Sequence, residues 1–186
     1  MHEYTIKRPL KERIIFFIAI VAITIAPIID QIFPVVAGGI FVLLWLLFSK
    51  FLWNKSFLKW ISQTPDLNGT WNCDGEGKKQ NDPSVTNPWN ATITIEQNFS
   101  EISIYMKTKN NSSQSVSYGA SIEFINKETC TLSYPYKNTP IKADADMYEH
   151  DGFCQLTFNL ENKTATGYYY TNNSRKSYGF MNLSRN

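Results

Sequence analysis

Hydrophobic positions fall into two regimes along the chain. Residues 14–53 form a 40-residue apolar block interrupted by only five polar side chains, Thr24, Asp30, Gln31, Ser49 and Lys50. From Leu67 onward the apolar residues recur at every second position, in a stretch rich in Ser, Thr, Asn and Tyr. The first regime predicts membrane-crossing helices and the second predicts strands with one buried face.

Within the block, residues 14–33 and 34–53 are each about 20 residues long, enough to cross a ~30 Å hydrocarbon core as a helix. Asp30 and Gln31 mark a tight polar connection, and Pro34 suits the first turn of a second helix. A signal peptide has a shorter apolar run and is not followed at once by a second span. Residues 1–54 therefore read as a transmembrane two-helix hairpin. Lys7, Arg8, Lys11 and Arg13 precede the first span, Lys50, Lys55 and Lys59 follow the second, and the connection carries no basic residue. The positive-inside rule then places both termini in the cytoplasm. Neither span holds an ionisable residue near its middle, which argues against ion transport. Ala19, Ala22 and Ala26 share one helical face and Ala37-Gly38-Gly39 opens the second helix, so close packing is expected within the hairpin or between protomers. Residues 55–66 read as a short interfacial helix, with Phe57, Leu58, Trp60 and Ile61 apolar beside two lysines, or as a plain linker.

Residues 67–186 alternate throughout. The inward sets are Leu67, Gly69, Trp71 and Cys73; Ala91, Ile93 and Ile95; Ile102, Ile104 and Met106; Val116, Tyr118, Ala120, Ile122 and Phe124. They continue through Cys130, Leu132, Tyr134 and Tyr136; Cys154, Leu156, Phe158 and Leu160; Ala165, Gly167, Tyr169 and Thr171; and Gly179, Met181 and Leu183. That predicts eight short strands with no helix to cover them. Such a sheet must close on itself or fold into a sandwich, and an eight-stranded antiparallel β-barrel is the expected all-β fold.

Charge and cysteine content narrow the function. From Lys55 onward the chain has 13 basic and 13 acidic residues, so binding of long nucleic acid is not expected, whereas a small anion held by one or two cations is compatible. Cys73, Cys130 and Cys154 lack metal-ligand spacing and read as small buried hydrophobes. The histidines are His2 and His150, too few for a metal pair or a Ser-His-acid set, and no phosphate-binding glycine loop follows a strand. The acidic stretch at 144–151 reads as a solvated loop. Neither an enzyme nor a cofactor is expected. Eight Asn-x-Ser/Thr triplets would be glycan sites on an ectodomain, but the predicted orientation turns them away from glycosylation.

Polar residues in phase with the inner face are the candidate ligand contacts. Thr108 continues Ile102, Ile104 and Met106, and Gln97 continues Ile93 and Ile95. Thr171, Asn173 and Arg175 continue Gly167 and Tyr169, while Tyr134 and Tyr136 are themselves inward. Hydroxyls, tyrosine rings and one guanidinium suit a ligand with planar rings and phosphates. The serines at 112–117 fall out of phase with Val116 and Tyr118 unless a bulge intervenes.

Nearly the whole chain resembles a known family, the CD-NTase-associated protein 15 effectors of CBASS anti-phage defence. The resemblance starts with two apolar spans and runs through Leu67-Asn68-Gly69-Thr70-Trp71, the strand at 93–97, and Thr108 followed by alternating serines. It continues with Leu132-Ser133-Tyr134-Pro135-Tyr136, the His150-Asp151-Gly152 turn, the Gly167 to Thr171 strand and a closing strand at 179–183. It implies a bacterial inner-membrane protein whose barrel binds a cyclic dinucleotide. Binding would drive the membrane segments to self-associate, disrupt the inner membrane and abort infection. The implied ligand-binding residues are Thr108, Ser115, Ser117, Tyr134, Tyr136, Tyr169, Thr171 and Arg175. The family's arginine usually follows Tyr-x-Thr more closely than Arg175 does here, and Lys176 or Lys109 are the alternatives. The opening Gly69-Thr70-Trp71 is also the Gly-x-Trp start of lipocalin-like carriers. A membrane-tethered carrier of an apolar ligand, and a ligand-free structural barrel, are therefore the alternatives.

Overall fold

Helix gives way to strand at about residue 67 in the computed structural model, which describes residues 1–6, 10–141, 148–172 and 175–185. Two compact units result: Arg8–Asp66 with Asn98–Ser100, and Met1–Lys7 with Leu67–Gln97 and Glu101–Asn186. Lys7 and Arg8, used to orient the hairpin, lie outside the described residues, as do Asn173 and the first half of the acidic stretch at 144–151.

In the helical unit, α1 spans Leu10–Asp30 and α2 spans Ala37–Leu47. Ile14, Ile18, Ala22 and Ala26 are its buried positions, one every fourth residue, which is a single stripe along α1. Outside that stripe Phe16, Ile23 and Ile28 remain exposed, and only 22% of the best apolar window in Lys11–Asp30 is buried at a mean hydropathy of 2.3. This helix is long and apolar enough to cross a membrane. Asp30 closes the connection by accepting the Val35 N–H at 3.0 Å. Contrary to the expectation for Pro34, the second helix starts at Ala37, because 34–36 are extended into the Val36 cap. It runs on through a π-helical turn at Phe48–Leu52 and then bends by 118° into Ser56–Ser62, so a second crossing depends on counting that bent pair as one span. The π turn buries Phe48 and Ser49; the Ser49 carbonyl accepts the Phe99 N–H at 3.0 Å and the Phe48 and Phe99 rings meet edge-on at 5.0 Å. The short α3, Lys59–Ser62, leaves Trp60 exposed and ends at Gln63 in the left-handed conformation.

The other unit is one ten-stranded sheet. In chain order its strands are β1 His2–Ile6, β2 Gly69–Lys79, β3 Asp82–Gln97, β4 Glu101–Thr108, β5 Ser113–Ser117, β6 Ala120–Phe124, β7 Thr129–Pro140, β8 His150–Asn159, β9 Thr164–Thr171 and β10 Ser177–Ser184. Antiparallel pairings run β5–β4–β3–β2–β10–β9–β8–β7 and return from β7 to β5. The hydrogen-bonded circuit is thus closed, and all the fully buried large side chains of the sheet lie on its inner face.

Ten strands replace the expected eight for two reasons. First, β1 comes from before the helices and lies between β4 and β6, parallel to β6 and antiparallel to β4. Second, the strand expected through Val116, Tyr118 and Ala120 breaks at Tyr118-Gly119 into β5 and β6. Across that break the inner face shifts by one residue, so Ser113, Ser115 and Ser117 are buried before it and Ile122 after it, while Val116 and Tyr118 are exposed. Both halves still pair with β7.

One end of the sheet's interior is sealed by Trp71. Its ring meets Phe158 edge-on at 4.9 Å, its Nε1–H donates to the Leu67 carbonyl at 3.1 Å, and the Arg185 guanidinium sits over it at 4.7 Å. Gly69 has φ +126°, and an added Cβ would lie 3.1 Å from Arg185, so only glycine suits that turn into β2. Gln97, in phase with the core as expected, is a structural brace: its carboxamide accepts the Leu67 N–H at 2.9 Å and donates to the Tyr4 hydroxyl at 3.0 Å.

Candidate functional site

The opposite inner end is built from different residues. Along β7 the alternation Cys130, Leu132, Tyr134, Tyr136, Asn138 is buried without a break, passing from apolar to polar. On β8 the same face carries His150, Gly152 and Cys154, and on β5 it carries Ser113, Ser115 and Ser117. Cross-strand pairing then sets His150 beside Asn138 and Asn138 beside Ser115, a polar row over three strands.

Aromatic side chains pack closely over glycines here. A Cβ on Gly75 would fall 2.3 Å from the Trp89 ring, one on Gly77 2.7 Å from the Tyr169 hydroxyl, and one on Gly152 2.3 Å from the Tyr136 ring. These glycines provide the floor on which the rings rest, so any side chain there would displace them. Trp89 donates its Nε1–H to the Tyr169 hydroxyl at 3.2 Å, and their rings are edge-on at 5.7 Å. Tyr134 and Tyr136 are 6.4 Å apart.

The electrostatics place Arg175 at this same end. Burial pushes the Tyr136 and Tyr169 hydroxyls above their ordinary range, and in both the nearby Arg175 guanidinium opposes that push. Burial lowers the pKa of His150 from its ordinary 6.5, with Arg175 adding to the fall and the Tyr148 carbonyl opposing it. Arg175 itself is exposed. Burial also raises the Cys73 and Cys130 thiols to about 12, and Cys154 higher, so all three free cysteines stay protonated.

The eight residues singled out from the sequence separate into groups. Ser115, Tyr136 and Tyr169 gather on the inner face with Arg175 at its rim. Tyr134 lies one layer deeper, where burial and Cys154 raise its pKa. The other three are engaged in holding the backbone. Thr108 Oγ1 accepts the N–H groups of Ser112 and Ser113 at 3.1 and 3.0 Å, clamping the β4–β5 turn. Thr171 Oγ1 does the same for Ser177 at 2.9 Å in the β9–β10 turn. Ser117 Oγ accepts the Ile104 N–H at 3.0 Å and lies 2.7 Å from His2 Nε2 of β1. Sequence reasoning did not single out Trp89, Asn138 or His150. The last two were within reach of the same period-two count, Asn138 from Tyr134 and Tyr136, His150 from Cys154.

A closed sheet that is apolar at one inner end and polar, aromatic and cationic at the other, fused to an apolar helical segment, has the build of a small-ligand receptor domain. Residues 62–185 match the family described as Cap15, cyclic dinucleotide receptor domain. The chain is also 33% identical over 149 residues to CD-NTase-associated protein 15 of Yersinia aleksiciae, an alignment covering 80% of this chain and 69% of that protein. It belongs to the Cap15 family, as its resemblance implied.

Proposed function

We propose that this protein is a CBASS effector that binds a cyclic dinucleotide in its sheet domain and responds by self-associating in, and disrupting, the bacterial inner membrane. In this reading the closed circuit of β2–β5 and β7–β10 is an eight-stranded barrel with its mouth at the Tyr136–Tyr169–Arg175 end. The observation that carries it is the set of rings resting on Gly75, Gly77 and Gly152 beside an exposed guanidinium, in a chain that matches a cyclic dinucleotide receptor family. Tyr136, Tyr169 and Trp89 supply stacking surfaces for bases, and Arg175 pairs with a phosphate. Ser115 supplies a hydroxyl, while Thr108, Ser117 and Thr171 hold the strands and turns around the ligand.

The two-span topology draws support from β1. Because β1 precedes α1 yet pairs with β4 and β6, the chain crosses a bilayer an even number of times between residues 6 and 69. Two crossings satisfy that count, and the basic flanks make the shared side the cytoplasm. Ala22 and Ala26 are already buried within the helical unit, whereas Gly38 has nothing within 4 Å of an added Cβ, so α2 offers the free face for contact with other protomers. Two helices enclose no lumen, so damage requires several hairpins together. Ligand drives that assembly only through tighter binding to the assembled state, and turning a mostly dispersed population into a mostly assembled one takes about 5.5 kcal/mol.

Full-length protein in liposomes loaded with a self-quenching dye tests this. Cyclic dinucleotide is expected to trigger release, and Gly38→Leu to abolish release while ligand still binds, at the lower affinity of the dispersed state. Release that proceeds equally without ligand would overturn the mechanism.

A further inference from the structure

Asn138 is 4% exposed, and its Oδ1 has no hydrogen-bond partner among the described residues. Its Nδ2 reaches the Ser113 hydroxyl at a long 3.4 Å, which leaves the carbonyl oxygen as an open acceptor on the inner face. A buried acceptor without a donor is unfavourable and marks a place where something else completes the bond. Its cross-strand neighbour His150 is 6% exposed. His150 Nδ1 lies 2.9 Å from the Tyr148 carbonyl, an acceptor only, so Nδ1 carries the proton and Nε2 presents a lone pair. Burial holds the ring neutral, consistent with that tautomer. Directly paired antiparallel residues have their Cβ atoms about 4.5–5.5 Å apart. Two acceptors therefore stand side by side at the polar end, one pair of residues along from Tyr136 and Gly152.

We propose that Asn138 and His150 read the Watson–Crick edge of one base of the ligand, and that this base is guanine. Two adjacent acceptors call for two adjacent N–H donors. Among the four bases only guanine offers them, at N1–H and the 2-amino group; adenine, cytosine and uracil each follow a donor with an acceptor. The Tyr136 ring would hold the base plane while the base edge meets β7 and β8. Asn138 and His150 are then specificity residues, distinct from the phosphate contact at Arg175. This assignment rests on the reading of the sheet as a cyclic-dinucleotide receptor.

The test is calorimetric titration of the full chain in lipid nanodiscs with cyclic GMP–AMP, its inosine counterpart cyclic IMP–AMP, and cyclic di-AMP. Inosine differs from guanosine only by loss of the 2-amino group. Wild type is expected to bind cyclic GMP–AMP about tenfold more tightly than cyclic IMP–AMP. Asn138→Leu, close in shape but without the acceptor, is expected to bring the two within about twofold. A wild-type ratio near one overturns the guanine reading without recourse to any variant, and so does a tenfold ratio that survives in Asn138→Leu with native circular dichroism. If cyclic di-AMP binds as tightly as cyclic GMP–AMP, the base assignment falls and the receptor reading stands. If none of the three binds, both fall.

Discussion

The two ends of the sheet's interior are made from the same strands and solve opposite problems. At the Trp71 end the inward polar groups are matched: the indole N–H has the Leu67 carbonyl, and the Gln97 carboxamide is shared between Leu67 and Tyr4. At the Tyr136 end Asn138 Oδ1 is unmatched, a histidine is buried neutral, and rings lie against glycine backbone where larger residues would pack more tightly. The difference separates an end built for stability from the end proposed to take a ligand. A satisfied end gains nothing from a new partner, whereas an unsatisfied one gains the bonds it lacks.

That contrast is easiest to break at Trp71. Trp71→Ala removes a fully packed aromatic and is expected to destabilise the fold by about 3–5 kcal/mol in chemical denaturation of the full chain in detergent. An unchanged midpoint would mean that the sealed end is not where stability resides. At the other end, Arg175→Ala should weaken ligand binding by about 2 kcal/mol, because it leaves a phosphate unpaired, and should leave the denaturation midpoint where it is. A shift of the midpoint without loss of affinity would make Arg175 structural and move the phosphate contact to Lys176 or Lys109. Ser117→Ala removes the hydroxyl that bridges Ile104 and His2, and a loss of about 1 kcal/mol is expected, with faster amide exchange at Ile104. Equal exchange in the variant would show that β1 is held by its backbone pairing alone.

The smallest expected effect is on pH dependence. The pKa of His150 is lowered in the fold from its ordinary 6.5, so the unfolded chain binds the proton more readily. Its contribution to stability is therefore complete above about pH 6.5 and is lost as pH falls through the lower folded value. Below that window the polar end should weaken first, and His150→Gln should flatten the slope of stability between about pH 5 and 7. A slope unchanged in His150→Gln would assign the acid sensitivity elsewhere.

Most of the sheet was legible in sequence because one buried face leaves a period of two, and Trp71, Cys73, Ile93, Ile104, Leu132 and Leu156 all fell on it. Three features left no such trace. The hairpin of β2 and β3 extends well past the core to Lys79 and Asp82, and residues 78–90 include no buried position, so alternation had nothing to record. The break at Tyr118-Gly119 reversed the apparent phase of β5, hiding Ser115 and Ser117 behind the exposed Val116 and Tyr118. β1 is only five residues long and is joined to its partners by pairing across more than a hundred positions, which no local pattern can announce. The site was legible to the same degree: Tyr136 and Tyr169 share a face as the alternation predicts, Ser115 joins them only through the break, and hydroxyl position alone did not reveal that Thr108 and Thr171 already clamp their turns.

The placement of β1 also sets an order in time. It is made before every other described strand of the sheet, yet its partner Ile102 follows both helices and two further strands, and Ala120 to Ile122 follow four. At about 5–20 residues per second that is a wait of roughly 6–24 s, during which β1 has no strand of the sheet to pair with. On the proposed topology the helices reach the lipid well before the sheet can be completed. Until β4 and β6 are made, β1 is an unpaired strand in every unfinished copy, and crowding of nascent chains on one message would be the condition most prone to mispairing there.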